Sequence, residues 1–165
     1  MNDRVLIDKT LALFFTTGVS LKLWHDTGMI DREVAIYNRL SRYFNQIYFF
    51  TYGNEDLEFK EYLADNIIII PKRGITNNLL YSFMLPFVHY KILKKVDILK
   101  TNQMFGSWSA VLAKLIYQKK LVVRTGFTLS TYYSNLEPKT WLKFFSKSAE
   151  ILGVNGQGRK NAKAN

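Results

Sequence analysis

Short apolar runs of strand length alternate with longer segments of helical periodicity, and no other feature constrains this chain more. The runs are LALFFT (11–16), IYFFTY (47–52), IIII (67–70), VDILK (96–100) and LVVRT (121–125). Most are nearly continuous in apolar residues, as strands covered on both faces of a sheet are. Between the first two runs, 18–29 reads as a loop. Ile30, Val34, Tyr37, Leu40 and Phe44 then recur at helical spacing. Asp31 and Glu33 sit in the first turn of that helix and Arg39 and Arg42 near its end, as the helix dipole prefers. Residues 55–63 read as a short polar helix or turn, and 78–94 as a helix kinked at Pro86. Trp108, Val111, Leu112 and Leu115 mark a further helix, and Pro138 opens a last one over 138–152.

This alternation implies an α/β fold with a parallel sheet. Right-handed crossovers then give a single Rossmann-like doubly wound parallel sheet, with 3-2-1-4-5 the expected strand order. The 165 residues suffice for one domain, expected over 1–152. Residues 153–165 (GVNGQGRKNAKAN) have no apolar period and read as a disordered or disrupted tail.

Composition narrows the function. Aromatic residues reach 15%, so several Tyr, Phe and Trp are expected at a surface or in a cleft. There is no Cys, hence no disulfide framework and no thiolate metal site, which fits a reducing cytoplasm. His25 and His89 have no partner at ligand spacing and no D-x-D pair is present, so no metal is expected. The longest apolar stretch, 79–90, is too short to span a bilayer, so any membrane contact is expected to be peripheral. Residues 1–100 carry 13 Lys/Arg against 11 Asp/Glu, and residues 101–165 carry 10 against 2. That asymmetry points to an anionic partner for the C-terminal third. Nucleic acid is disfavoured, because no RNA- or DNA-binding motif is present.

Ligands of doubly wound sheets bind beyond the carboxyl ends of the strands, which directs attention to three loops. The first holds Gly18, Val19, Ser20, Lys22 and Trp24. Gly18 would let backbone amides approach an anion beside a helix N-terminus, with Ser20 and Lys22 as further donors. The alternative is a plain connection with Trp24 packed on the surface. The second holds Asn102, Gln103, Gly106 and Trp108. Asn102 and Gln103 offer amides of the kind that read sugars; the alternative makes Asn102 a turn residue, and Trp108 reads as core. The third holds Arg124, Thr125 and Gly126, where Arg124 meets either a ligand phosphate or an internal carboxylate. On the last helix, Lys139, Lys143 and Lys147 recur every four residues, with Trp141 and Phe144 elsewhere around it. This suits either an anionic membrane surface or a solvated helix face.

Taken together, FFTTGVSLKLW (14–24), DRE (31–33), FFTYG (49–53), KTNQM (100–104) with Gly106 and Trp108, and VVRTG (122–126) resemble the N-terminal, acceptor-side domain of family-4 type GT-B glycosyltransferases. The similarity runs in order from about residue 9 to residue 150. It implies one half of a GT-B fold, acting in transfer of a sugar from a nucleotide-sugar donor to a glycan or lipid-linked acceptor. The expected acceptor site is around Gly18, Ser20, Asn102, Gln103 and Gly126, with no metal or other cofactor. It further implies a bacterial enzyme of polysaccharide biosynthesis, cytoplasmic or peripheral on the inner face of the membrane. Two departures stand out. Asn102 and Thr125 occupy positions where many relatives carry His, so no catalytic residue carries over. The donor-binding half is absent from this sequence, so the chain is expected to need a separate donor-binding domain or chain. The alternatives are a non-catalytic membrane-associated subunit or a truncated, inactive product.

Overall fold

A computed structural model describes residues 7–125. The apolar runs form strands β1 (Thr10–Phe14), β2 (Gln46–Phe50), β3 (Ile67–Ile70), β4 (Ile98–Thr101) and β5 (Lys120–Val122). They make one all-parallel sheet in the order β3-β2-β1-β4-β5, as the alternation predicts. The central strands explain the continuous apolar runs: Leu11, Ala12, Leu13, Phe14, Ile47, Phe49, Phe50 and Leu99 are all buried. Successive side chains on a strand point to opposite faces. Phe49 thus meets Tyr37 edge-on at 5.2 Å, while Phe50 faces His89 at 5.2 Å on the other side.

One face is covered by α1 (Leu21–Asp26), α2 (Ile30–Leu40) and a 3₁₀ segment, Asp56–Tyr62. The other is covered by α3 (Asn78–Val88), α4 (Tyr90–Leu93) and α5 (Trp108–Tyr117). The reversal of crossover direction after β3 puts the two groups on opposite faces.

Three local expectations are corrected. The loop over 18–29 contains α1, a helix too short to show a period. Ser20 caps it by accepting the Leu23 amide at 3.0 Å, and Gly28 closes the following turn at φ +68°. The helix from Ile30 stops at Leu40 and tightens into a 3₁₀ turn, Ser41–Tyr43. The long helix passes through Pro86 and breaks instead at His89 (φ −105°, ψ 27°). Proline removes the donor that would reach the carbonyl of residue 82. That carbonyl is taken up by α5, whose Ser109 Oγ donates to it at 2.7 Å. Trp108 Nε1 donates to Ser82 Oγ at 2.8 Å, and Tyr117 donates to the Pro86 carbonyl at 2.8 Å. The backbone defect at Pro86 thus becomes the seam between α3 and α5. Trp108, read as core, is only partly buried at that seam.

Candidate functional site

The carboxyl ends of β1 and β4 split the chain toward opposite faces, leaving a crevice between the loops that follow them. Gly106 turns the second loop at φ +87° and lies so close that a Cβ there would stand 2.8 Å from the Thr17 amide nitrogen. Gly18 turns the first at φ +83°, beside Asn78 of α3. Gly106 thus brings the two loops together through the backbone, while Gly18 lets the first loop approach α3.

Beside this junction, between α1, α2 and the loop after β4, lies a cavity of about 150 Å³. Val19, Leu23, Trp24 and Met29 make its apolar wall. Thr16, Asn102 and Gln103, with Arg32 and Glu33 from the start of α2, make the polar one. A pocket for a drug-sized ligand measures ~300 Å³ or more, so this one suits a group of a few heavy atoms or a single ring.

Polar groups behind the wall are tightly ordered. Asn102 is 2% exposed; its backbone N–H donates to the Phe14 carbonyl at 2.9 Å, and its side-chain Oδ1 accepts from Tyr37 at 3.2 Å. Lys100 Nζ donates to the Tyr37 hydroxyl at 3.2 Å and lies 5.3 Å from that ring's centre. Burial pushes the Tyr37 phenol up to about 12, against the pull of the Arg124 charge. Burial, and then the like charge of Arg124, lowers Lys100 to about 8. Arg124 itself is half-exposed, with Nη1 3.9 Å from Glu33 Oε2, and its amide donates to Thr101 Oγ1 at 3.2 Å. Thr16 Oγ1 is buried with no hydrogen-bond partner among the described residues, although its residue lines the cavity.

The predicted residues divide accordingly. Val19, Trp24, Asn102 and Gln103 come together at the cavity. Trp24 does so as a buried residue stacked on Phe15 at 4.5 Å, not packed on the surface. Arg124 pairs loosely with an internal carboxylate. Exposed Thr125 is the last described residue. Gly126, Lys139, Trp141, Lys143, Phe144 and Lys147 lie outside the described residues.

The helix N-terminus that follows Gly18 and Ser20 meets a carboxylate of the protein itself. The amides of Leu21 and Lys22 both donate, at 3.1 Å, to the carboxylate of Asp56. The N-terminus of α1 thus already holds an anion of the protein's own. Gly53 makes room for it, since a Cβ there would clash with Asp56. Lys22 points elsewhere, pairing with Asp26 at 3.0 Å on the exposed surface.

Sequence reasoning missed Thr16, Leu23, Met29, Arg32, Lys100 and Tyr37 as site residues, and took Glu33 only as a dipole partner. Their shared signal is position at the carboxyl side of the sheet, which becomes visible only once strand order is known. Among the described residues no group of three or more His, Asp or Glu is placed to hold a metal ion. No helix among them is long and apolar enough to cross a membrane. Comparison with protein-family models, with curated proteins and with solved structures finds no match.

Proposed function

We propose that the chain is the acceptor-side half of a GT-B glycosyltransferase of the family-4 type. It would work with a donor-binding domain on transfer from a nucleotide sugar to a glycan or lipid-linked acceptor. The observation that carries this reading is the cavity at the β1/β4 switch point, lined by Thr16, Asn102 and Gln103 on one side and by an apolar wall that includes Trp24 on the other. Sugar rings present this combination, hydroxyls along the edges and C–H groups on the faces. The cavity's small volume suits one ring of an acceptor, with the rest lying outside the pocket. A place in bacterial surface-polysaccharide assembly at the cytoplasmic side of a membrane belongs to the same proposal.

Amide chemical-shift mapping with a panel of mono- and oligosaccharides tests it. Weak binding should perturb Thr16, Val19 and Asn102 and should disappear in Asn102→Ala. Tight binding of a UDP- or GDP-sugar by the chain alone, or no saccharide-dependent shift at those residues, would contradict the assignment.

A further inference from the structure

The outward arc of α3 is made of Leu79, Leu80, Phe83, Met84, Phe87 and Val88, each between 39% and 55% exposed. At 100° per residue these six span roughly half the helix circumference, an arc that is ordinarily polar on a surface helix. Tyr81, Ser82, Leu85 and Pro86 fill the opposite, buried arc. The apolar surface continues onto Tyr90 of α4, and toward α5 through a row of rings. Phe83 stacks on Trp108 at 6.0 Å, and Phe105 meets Trp108 edge-on at 5.5 Å. Together these exposed side chains form a large apolar patch, of the kind that marks an interaction site on a protein surface.

Charge on this side of the molecule has one sign. From residue 66 to residue 96 there is no Asp or Glu, while Lys72, Arg73, Lys91, Lys94 and Lys95 fall in that stretch. From 98 to 125 there is again no acid. Apart from Asp8 and Asp97, the carboxylates of the described residues lie on α1, on α2 and within residues 55–65. Asp97 sits at the amino end of the sheet, bound to Thr10 and Lys9, and Asp8 lies just before β1 at that same end. Exposed Arg73 and exposed Lys91, Lys94 and Lys95 thus stand at the two ends of an uncharged apolar stripe.

We propose that the outward face of α3 and α4, with the adjoining Trp108 edge of α5, docks on an anionic membrane surface. A stripe of large apolar and aromatic side chains flanked by lysines is the pattern of a helix lying in the lipid interface. A second copy of the chain would be as cationic as the first here, so self-association would bring like charges together. None of these residues lines the cavity after β1 and β4, so the inference stands whether or not the glycosyltransferase reading does.

The test uses the full chain with Trp141→Phe, which leaves Trp24 buried and Trp108 as reporter. Vesicles of phosphatidylcholine, with and without phosphatidylglycerol, are prepared with brominated acyl chains. The protein should sediment with the anionic vesicles only, and at least tenfold less at high salt. Bromine should quench emission, and Trp108→Phe should abolish the quenching. Leu80→Glu with Phe87→Glu should release the protein. Charge reversal at the exposed Lys91, Lys94 and Lys95, which leaves the core untouched, should weaken binding at least tenfold. Absence of sedimentation with anionic vesicles overturns the proposal. So does sedimentation with Trp108 unquenched and the lysine variant unaffected, which would place the contact elsewhere on the chain. A concentration-dependent dimer that Leu80→Glu dissociates, without vesicle binding, would overturn it in favour of a self-interface.

Discussion

Asp56 accepts the backbone amide of Leu21 at 3.1 Å across 35 residues of sequence, and the neighbouring amide of Lys22 at the same distance. Asp56 is fully buried, and no cation of the described residues pairs with it. Its charge is met by the positive end of α1 and two charge-assisted hydrogen bonds. One carboxylate thereby ties the loop after β1 to the segment after β2 and sets the position of the helix that walls the cavity.

Asp56→Ala removes both bonds and leaves two amides at a buried helix end without a partner. The expected loss is about 2–3 kcal/mol of folding free energy, read from urea unfolding. Asp56→Asn keeps one acceptor oxygen and should lose about half as much. Wild-type stability in Asp56→Ala would show that the amides find water instead.

Gly106→Ala meets two obstacles, a φ of +87° and the Thr17 backbone 2.8 Å from the new Cβ. A cost of roughly 2–3 kcal/mol is expected, with a lowered Tm. Gly28, at φ +68° but with nothing within 4 Å of its Cβ, separates the two causes. Gly28→Ala should cost only about 1 kcal/mol, from the backbone alone. Equal losses at the two glycines would mean that the loop junction contributes nothing.

Lys100 titrates at about 8 when folded, against 10.5 as its ordinary value. Below pH 8 the amine is charged in both states, and its desolvation is a constant penalty. Between the two values the unfolded chain holds a proton that the folded protein has released, so stability rises with pH across that window. Lys100→Met should raise stability at neutral pH by roughly 1–2 kcal/mol, allowing for partial solvent screening. The difference between the two proteins should shrink as pH climbs from 8 toward 10.5. Unfolding curves on either side of pH 8 read this, and a difference that stays constant with pH would refute it.

Tyr37 donates to Asn102 and accepts from Lys100, so its hydroxyl is the middle of a three-residue chain. Tyr37→Phe keeps the ring against Phe49 but strips Asn102 Oδ1 of its donor. About 1–2 kcal/mol should be lost. Combined with Asn102→Leu the loss should be less than additive, because the second change removes the orphaned acceptor. Strict additivity in that double-mutant cycle would mean that the hydroxyl and the amide do not interact in solution.

Strand order was legible in the chain because it follows from local patterns and one rule of handedness. The runs around Leu13, Phe49 and Ile67 announce buried strands, and right-handed crossovers leave few ways to join them. Element ends were less legible where a distant residue decides them. The helix Leu21–Asp26 depends on Asp56, and continuation past Pro86 depends on Ser109. Neither partner is near in sequence, so no window of neighbours carries the signal.

The site divides along the same line. Residues after a strand's carboxyl end, such as Val19, Asn102 and Gln103, could be named from sequence because topology alone delivers them to the rim. Whether each side chain then faces a cavity, caps a helix or turns to solvent was set by packing. Ser20, Lys22, Trp24 and Asn102 stand a few residues from a strand end and meet four different fates. The amino-acid order determined which loops share a rim, through apolar periodicity and chain handedness. Only the tertiary structure decided what those loops hold, because a buried charge or hydroxyl must find its partner in space, and in this fold that partner lies tens of residues away.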